Sequence, residues 1–304
     1  MKEFTAERDG ERLDVFLARM DATLSRSYIQ RLIAEGRAEA GGKAVKASYR
    51  LTAGETVTVD VPEPENVNVA PEDIPLDILY EDQDVVVVNK VRGMVVHPAA
   101  GVFHGTLVNA LLAHCDDLSG INAALRPAVV HRLDTETSGV MVAAKNDAAH
   151  RSLAEQIRTK TARRVYWAIL TGNIREDEGV IHGAIGRNPK DRQKMAVVRD
   201  NGKDATTNFR VLERFGDYTL VECRLLTGRT HQIRVHMAYI GHPVAGDKKY
   251  GTKKCPFAIE GQALHSKTLT FVHPRTGEQM EFTAPLPDDM EEILRQLRGK
   301  RYGE

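Results

Sequence analysis

The sequence predicts an α+β protein, in which a small α/β module precedes a larger domain with a mixed, largely antiparallel sheet. One observation is the segment 63–75, which is rich in proline and acidic residues, has no helical or strand period and is typical of a linker. The other is that candidate strands after it outnumber candidate helices and do not alternate regularly with them. We therefore predict domains at 1–62 and 76–304, and 304 residues are enough for both.

The module at 1–62 is predicted to contain two helices followed by two short strands. Apolar residues recur at helical spacing, and Ser25 is well placed to cap the second helix. The expected apolar faces consist of Leu13, Phe16, Leu17, Ile29, Leu32 and Ile33. The strands are expected at about 37–47 and 56–61.

The larger domain begins with an apolar run at 84–90 that is typical of a buried strand. Further strands are predicted at 140–145, 165–170, 209–214 and 218–226. Helices are predicted at 107–113, 148–159, 231–240 and 288–297.

Composition and charge narrow the classes of function. The sequence contains no run of about 18 apolar residues, so no membrane span is predicted. The first residues contain no apolar stretch typical of a signal peptide, and we therefore expect a cytoplasmic protein. The net charge is zero, but residues 55–90 carry about −9 and residues 151–254 about +10. This split is compatible with an RNA-facing surface, and the alternative is charge scattered over solvated faces. The three cysteines form no CxxC pair, and we expect them to be reduced and structural.

The first polar cluster in an apolar setting is HRLDTETSG at residues 131–139. It lies between an apolar stretch and a predicted strand, and such a loop can hold a catalytic carboxylate between rigid elements. Asp134 would be partly desolvated there and would need a cation. The alternative is a turn whose polar side chains bond to nearby backbone groups.

The second cluster is LLTGRTHQIRVH at residues 225–236. A strand is expected to end at Leu226, Gly228 to turn the chain, and a helix to begin near Thr230. A helix N-terminus beside an arginine is a natural anion site. Arg229 is therefore expected to pair with Asp134 or with a phosphate, unless this is only a strand–turn–helix corner with a surface arginine.

Together these stretches resemble the RluA/RluD family of pseudouridine synthases. The opening motif of that family is similar to VNKVRGMVVHP at 88–98, although Val91 stands where the family usually has proline. Further matches follow in family order and extend the resemblance over about 80–304, which is far more specific than one short motif. They lie at 164–168, 241–251 and 264–274.

The N-terminal module resembles the small S-four-like RNA-binding domain. The similarity lies at residues 12–14 and 25–33, while 40–42 replace the usual Val-Asn-Gly turn. On this resemblance, the expected RNA-binding residues are Arg26, Arg31, Arg37 and Lys43.

The family resemblance implies an isomerase that converts uridine in structured RNA to pseudouridine without a cofactor or metal. It implies that Asp134 is the catalytic aspartate, that Arg229 forms its ion pair, and that Tyr166 lies against the target base. Whether Asp134 attacks the base, attacks the anomeric carbon or removes a ribose proton stays open. The substrate-binding residues expected beside them are Arg132, His131, Leu226, Asn89 and Lys90. Among these, Arg132 would fill the space left by the extruded nucleotide, and Leu226 would pack beneath the base.

Large-subunit (23S) ribosomal RNA is the expected partner, with transfer RNA as the alternative. We expect a monomer that needs neither a membrane nor a protein partner. A non-catalytic RNA-binding factor is the competing class of function. A glycoside hydrolase is disfavoured because Glu136, two residues from Asp134 on a loop, does not ensure a paired carboxylate. A metal is disfavoured because His231 and His236 are five residues apart, without an HExxH motif.

Overall fold

The chain forms two compact units, Met1–Asn66 and Val67–Glu304, each with its own hydrophobic core. The computed structural model describes residues 2–21, 24, 26–61, 69–98, 102–115, 128–251 and 254–302. Within these ranges, no helix is both long and apolar enough to cross a membrane. Of the segment predicted as a linker, 63–68 lie outside the described residues. Its later part belongs to the second unit, where Asn109 bonds to the backbone of Ala70 and Glu72.

The first unit packs two short helices against a four-stranded antiparallel sheet. Its elements are β1 (Lys2–Thr5), α1 (Leu13–Met20), α2 (Arg26–Ala34), β2 (Ala38–Ala40), β3 (Lys43–Ala44) and β4 (Thr56–Val59). The strand order is β1-β4-β2-β3. Both predicted helices are confirmed, and their predicted apolar faces are buried. The predicted cap, Ser25, lies outside the described residues.

The second unit contains most of the chain. Its helices are α3 (Leu107–His114), α4 (Asp147–Thr159), α5 (Gln232–Tyr239) and α6 (Asp288–Tyr302). Its strands are β5 (Ile78–Glu81), β6 (Val85–Lys90), β7 (Ser138–Ala144), β8 (Arg163–Thr171), β9 (Glu178–His182), β10 (Ile185–Arg187), β11 (Met195–Val197), β12 (Thr206–Arg214), β13 (Tyr218–Leu225), β14 (Leu264–Val272) and β15 (Gln279–Thr283). All the strands and helices predicted for this domain are confirmed to within a few residues.

Nine of these strands form one sheet, in which β5-β6-β7-β14-β8-β13-β12-β9 are consecutive neighbours and β15 pairs with β14. Only the pairing of β7 with β14 is parallel among the described strands. The remaining two strands, β10 and β11, form a separate antiparallel hairpin. The prediction of a mixed, largely antiparallel α+β domain is confirmed.

The sheet is buried on both faces. Along β6, Val86 and Val88 belong to the core shared with α3, α5 and α6, whereas Val85 and Val87 belong to the core shared with α4. Each fully buried valine of this kind contributes about 1.5–3 kcal/mol. This packing on both faces makes the sheet a firm support for the loop that precedes β7.

Candidate active site

Asp134 lies on the loop immediately before β7. The backbone N–H of Thr137 donates to the carbonyl of Asp134 at 2.9 Å, which closes a tight turn. Gly139, the second residue of β7, has a φ of 115°. The backbone of Ser266 on β14 occupies the space where a Cβ of residue 139 would lie. Glycine is therefore required where the parallel pairing with β14 begins.

Lys90 supports this loop. Its Nζ donates to the carbonyl oxygens of Val91, Met94 and Thr135 at 2.9, 2.8 and 3.1 Å. The residue is 2% exposed, and burial lowers its pKa to about 7. Because Thr135 directly follows Asp134, Lys90 fixes the position of the loop.

Arg92 supports the same loop from a second point. Its Nη1 donates to the carbonyls of Glu136 and Gln262, the latter at 2.6 Å, and its Nε lies 2.6 Å from Asp289 of α6. Charge-assisted bonds of this kind are stronger than neutral ones. Lys90 and Arg92 are called the loop brace below.

The burial of Lys90 corrects the expectation that it binds substrate, whereas substrate binding by Asn89 stays a prediction. Neither residue lines the cavity that the described residues form beside Asp134. The side-chain amide of Asn89 donates to Asp77 at 2.8 Å, and the ammonium of Lys90 is surrounded by carbonyl oxygens. A buried ammonium needs such acceptors, so strand β6 directs Lys90 toward the loop and not toward a ligand.

Arg234, on helix α5, forms the ion pair with Asp134. Its Nη1 donates to Asp134 Oδ2 at 2.9 Å, while its Nε and Nη2 donate to Asp247 at 2.7 and 2.9 Å. Burial opposes the charge on Arg234, but the two carboxylates outweigh burial and raise its pKa. Burial likewise opposes the charge on Asp247, and the Arg234 hydrogen bonds outweigh it and lower the pKa of that carboxyl. Two bonds to Asp247 thus hold the guanidinium of Arg234, and its Nη1 orients Oδ2 of Asp134 through one charge-assisted hydrogen bond.

The expected ion pair between Arg229 and Asp134 is therefore wrong. The Nε of Arg229 donates to the carbonyl of Asp204 at 2.9 Å. The reason is the backbone of His231, which is left-handed (φ 57°) and turns the chain before α5 begins at Gln232. Arg229 lies before this turn and Arg234 on the helix after it. The sequence motif contains both arginines, and only the position of that turn distinguishes them.

Tyr166 lies on β8 and lines the same cavity as Asp134. It is 5% exposed, and burial raises the pKa of its phenol. The expectation that Tyr166 lies against the target base stays a prediction.

The cavity has a volume of about 470 Å³, and it brings together most of the predicted catalytic and substrate-binding residues. Arg132 is exposed and Leu226 is 44% exposed, and both line the cavity, as do His131 and Arg229. Arg132, Lys160, Leu226 and Arg229 are called the cavity rim below. At a few hundred cubic ångströms, the cavity is of the size that holds a small ligand.

His131 is the buried member of this set. Its Nε2 accepts the backbone N–H of Val142 at 3.2 Å, and burial lowers its pKa to about 3, so the imidazole is neutral. Its proton is therefore on Nδ1, which has no hydrogen-bond partner among the described residues.

The cavity lining is strongly electropositive. Asp134 is the one acidic side chain among the described lining residues. The cations are Arg132, Arg158, Lys160, Arg164, Arg229 and Arg234. A surface of this kind suits a polyanion that carries a neutral group into the cavity.

In the first unit, three of the four predicted RNA-binding cations have acidic partners. Arg26 donates to Asp14 at 3.0 Å, and Arg37 donates to Asp60 at 2.8 Å. Arg31 lies 4.9 Å from the centre of the Tyr28 ring and 3.9 Å from Glu35. Surface ion pairs are weak, so Arg31 and Arg37 are able to exchange their exposed carboxylate partners for phosphates, whereas Arg26 pairs with the buried Asp14.

Lys43, the fourth of these residues, is exposed on β3. RNA binding by all four residues stays a prediction.

Among the residues that the structure describes, two groups of possible metal ligands lie outside the cavity. They are Glu81, His114 and Cys115, and Asp82, Asp84 and His273. Lys145 donates to Glu81 at 2.6 Å, and Arg275 donates to Asp84 at 2.6 and 2.8 Å. These carboxylates already have cationic partners, and the absence of a metal from the reaction stays a prediction.

Comparison with known proteins identifies families and individual proteins that this chain is similar to. The profile of the family described as RNA pseudouridylate synthase matches residues 84–239, and that of the S4 domain matches residues 11–57. The chain is similar to "Uncharacterized RNA pseudouridine synthase YlyB" of Bacillus subtilis (strain 168), at 57% identity over 292 residues and 96% of each chain. It is also similar to "Ribosomal large subunit pseudouridine synthase D" of Neisseria meningitidis serogroup A, at 46% identity over 96% of this chain and 80% of that relative.

Among solved structures, the chain is similar to human RNA Pseudouridylate Synthase Domain Containing 1. The TM-score is 0.56 at 29% sequence identity. The similarity covers 78% of this chain and 98% of that one.

Proposed function

The chain belongs to the RNA pseudouridine synthase family, and from that premise we propose that Asp134 is its catalytic carboxylate and large-subunit ribosomal RNA its substrate. The enzyme isomerises uridine in RNA to pseudouridine. The bond between ribose C1′ and uracil N1 breaks, and C1′ joins C5 instead. C5 loses a proton and N1 gains one, so the atoms balance without a co-reactant.

The proposal rests mainly on the residues that surround Asp134. It is the one carboxylate among the described residues lining an electropositive cavity, and Arg234 holds its Oδ2 at 2.9 Å. A carboxylate fixed through one oxygen keeps the other available to a reacting atom, as a nucleophile or as a base. Both possibilities for Asp134 stay open.

Tyr166 and the cavity rim supply the remaining roles. We assign to the Tyr166 phenol contact with the target base and proton transfer at C5, because it lines the cavity with Asp134. Taking a base out of a helix costs a few kcal/mol, and Arg132 is placed to fill the space the base leaves. Leu226, exposed on the rim, is assigned an apolar contact with the base.

The choice of ribosomal RNA is supported by two features. The first is the match of residues 11–57 to the S4 domain. The second is the name of several relatives at about 45% identity, ribosomal large subunit pseudouridine synthase D. Transfer RNA is the alternative substrate, and a non-catalytic RNA-binding factor is the alternative class. We place the protein in the cytoplasm with its RNA.

The experiment is a pseudouridine map of ribosomal and transfer RNA, made by carbodiimide labelling and primer extension. The cells carry wild-type protein, a deletion, Asp134→Asn, or Asp217→Asn as a matched control at an exposed turn. We expect specific large-subunit marks to vanish with the deletion and with Asp134→Asn but not with the control. Loss of marks only from transfer RNA would overturn the substrate. Marks that persist in Asp134→Asn but vanish with the deletion would overturn the catalytic role of Asp134.

A further inference from the structure

His231 has an unusual backbone for its residue type. Its φ of 57° and ψ of 25° are left-handed, a conformation that few residues other than glycine adopt. Such strain persists only where the surrounding structure enforces it, and it clusters at functional sites. The result here is that the imidazole Nε2 lies 3.8 Å from Oδ1 of Asp134, the carboxylate oxygen opposite the one that Arg234 holds.

Tyr250 holds the other nitrogen of this imidazole. The Tyr250 hydroxyl lies 2.7 Å from His231 Nδ1, and it accepts the backbone N–H of Met195 at 3.0 Å. Because the oxygen accepts from Met195, its own proton is directed to His231 Nδ1. The neutral imidazole therefore carries its proton on Nε2, facing Asp134.

Burial, and not the set of charged groups around His231, favours the neutral imidazole. Burial lowers the pKa of His231; Asp134 and Asp247 oppose that shift, and Arg234 and Lys249 add to it. The guanidinium of Arg234 also lies 5.1 Å from the centre of the Tyr250 ring. Tyr250 thus contacts both side chains that border the Asp134 carboxylate.

The contacts that begin at Asp134 and pass through His231 and Tyr250 end at a basic hairpin, β10–β11. Met195 begins β11, and the loop that joins β10 to β11 carries Lys190 and Arg192, both exposed. The base of the hairpin packs against Tyr250 and α5 through apolar residues. RNA phosphates attracted to this loop would act on the strand that supplies the hydrogen bond to Tyr250.

We propose that His231 and Tyr250 are positioning residues that couple the β10–β11 hairpin to Asp134. Engagement of RNA by the hairpin moves His231 Nε2 into hydrogen-bond distance of Oδ1, a closure of about 1 Å or less. Arg234 then orients Oδ2 and His231 orients Oδ1, whose second lone pair stays available to the reacting atom. The inference rests on the proposed catalytic role of Asp134.

The first test does not depend on activity. Long-range ¹H–¹⁵N NMR of the full chain with ¹⁵N-labelled histidine reports which ring nitrogen is protonated. His231→Asn assigns the signal, and asparagine tolerates the left-handed backbone. We expect a protonated Nε2 in the wild type and a mixture of tautomers in Tyr250→Phe. A protonated Nδ1 in the wild type, or no change in Tyr250→Phe, would overturn the relay.

The second test measures the coupling itself. Release of tritium from a large-subunit ribosomal RNA transcript labelled at uracil C5 is followed in a single turnover. We expect Tyr250→Phe and His231→Asn to lower the rate at saturating RNA about 10- to 100-fold, a typical effect of losing a residue that orients a ligand group. The half-saturating RNA concentration stays within about twofold and thermal stability is retained, and Tyr218→Phe, at a tyrosine outside the cavity lining, behaves as wild type.

The outcomes separate this inference from the proposed function. Unchanged rates in both variants, or losses confined to stability and RNA affinity, would overturn the coupling. A wild-type protein that releases no tritium contradicts the proposed function, and the NMR result still decides whether the relay exists.

Discussion

The loop brace and the cavity rim both lie near the Asp134 loop, and apart from Leu226 on the rim both consist of cations, yet their surroundings differ. In the brace, Lys90 is buried and donates to three carbonyl oxygens, and Arg92 donates to two more. On the rim, Arg132 and Lys160 are exposed and line the cavity. Burial therefore decides the task of each cation.

The difference follows from the energetics of charge. A buried cation is tolerated only with several acceptors, so it ties the chain together and has no capacity left for a ligand. An exposed cation contributes little to stability and keeps its affinity for phosphate. The following predictions test this difference between buried and exposed cations.

The largest expected effect on stability comes from the brace. Lys90→Met keeps the length of the side chain and removes the Lys90 donor from three carbonyl oxygens, of which that of Thr135 keeps the backbone N–H of Gly93. We therefore expect a loss of about 2–4 kcal/mol in the free energy of unfolding. Urea denaturation of the full chain measures it. Lys248→Met, at an exposed lysine, serves as the control, with a change within about 0.5 kcal/mol. Equal losses in the two variants would remove the distinction between brace and surface.

The next largest effects, on reaction rate and on RNA affinity, are expected at the two arginines of the motif at 225–236. Because Arg234 holds Asp134, we expect Arg234→Gln to lower the rate at saturating RNA about 100- to 1,000-fold and Arg234→Lys to lose less. Arg229→Gln is expected to act on RNA affinity instead, by about tenfold. Single-turnover rates over a range of RNA concentrations separate these effects. A rate loss for Arg229→Gln equal to that of Arg234→Gln would contradict the assignment.

The smallest expected effect lies on the exposed rim. Arg132→Ala and Lys160→Ala should each weaken RNA binding about three- to tenfold and lower the slope of log affinity against log salt by about one. Filter binding at several salt concentrations measures both quantities. Slopes unchanged from wild type would show that these cations do not meet phosphates.

Much of the fold was accessible from the sequence because its patterns are local. The valine run of β6 and the helical spacing of Leu13, Phe16 and Leu17 each predict an element that the structure confirms. Strand β1 escaped prediction because only Phe4 among its four residues is strongly apolar, and that ring is fixed by an edge contact with Phe16. Strand β14 escaped because its partners, β7 and β8, are distant in sequence.

The candidate site was likewise predictable from the sequence only in part. The motif loop locates Asp134, and the structure brings Tyr166 and the rim residues to the same cavity. The partner of Asp134 was not predicted, because Arg229 and Arg234 differ only in their position relative to the left-handed His231. A left-handed residue other than glycine leaves no clear pattern in one sequence. Lys90 was similarly misassigned, since a motif does not reveal which way its side chain points.

The most direct test of the role of Asp134 is tritium release from the C5-labelled ribosomal transcript by purified Asp134→Asn at saturating RNA. We expect a rate at least about 1,000-fold below wild type, with RNA affinity within about threefold, because the variant keeps the cavity and its cations and loses the reacting carboxylate. A rate within tenfold of wild type would contradict the claim that Asp134 carries the reaction.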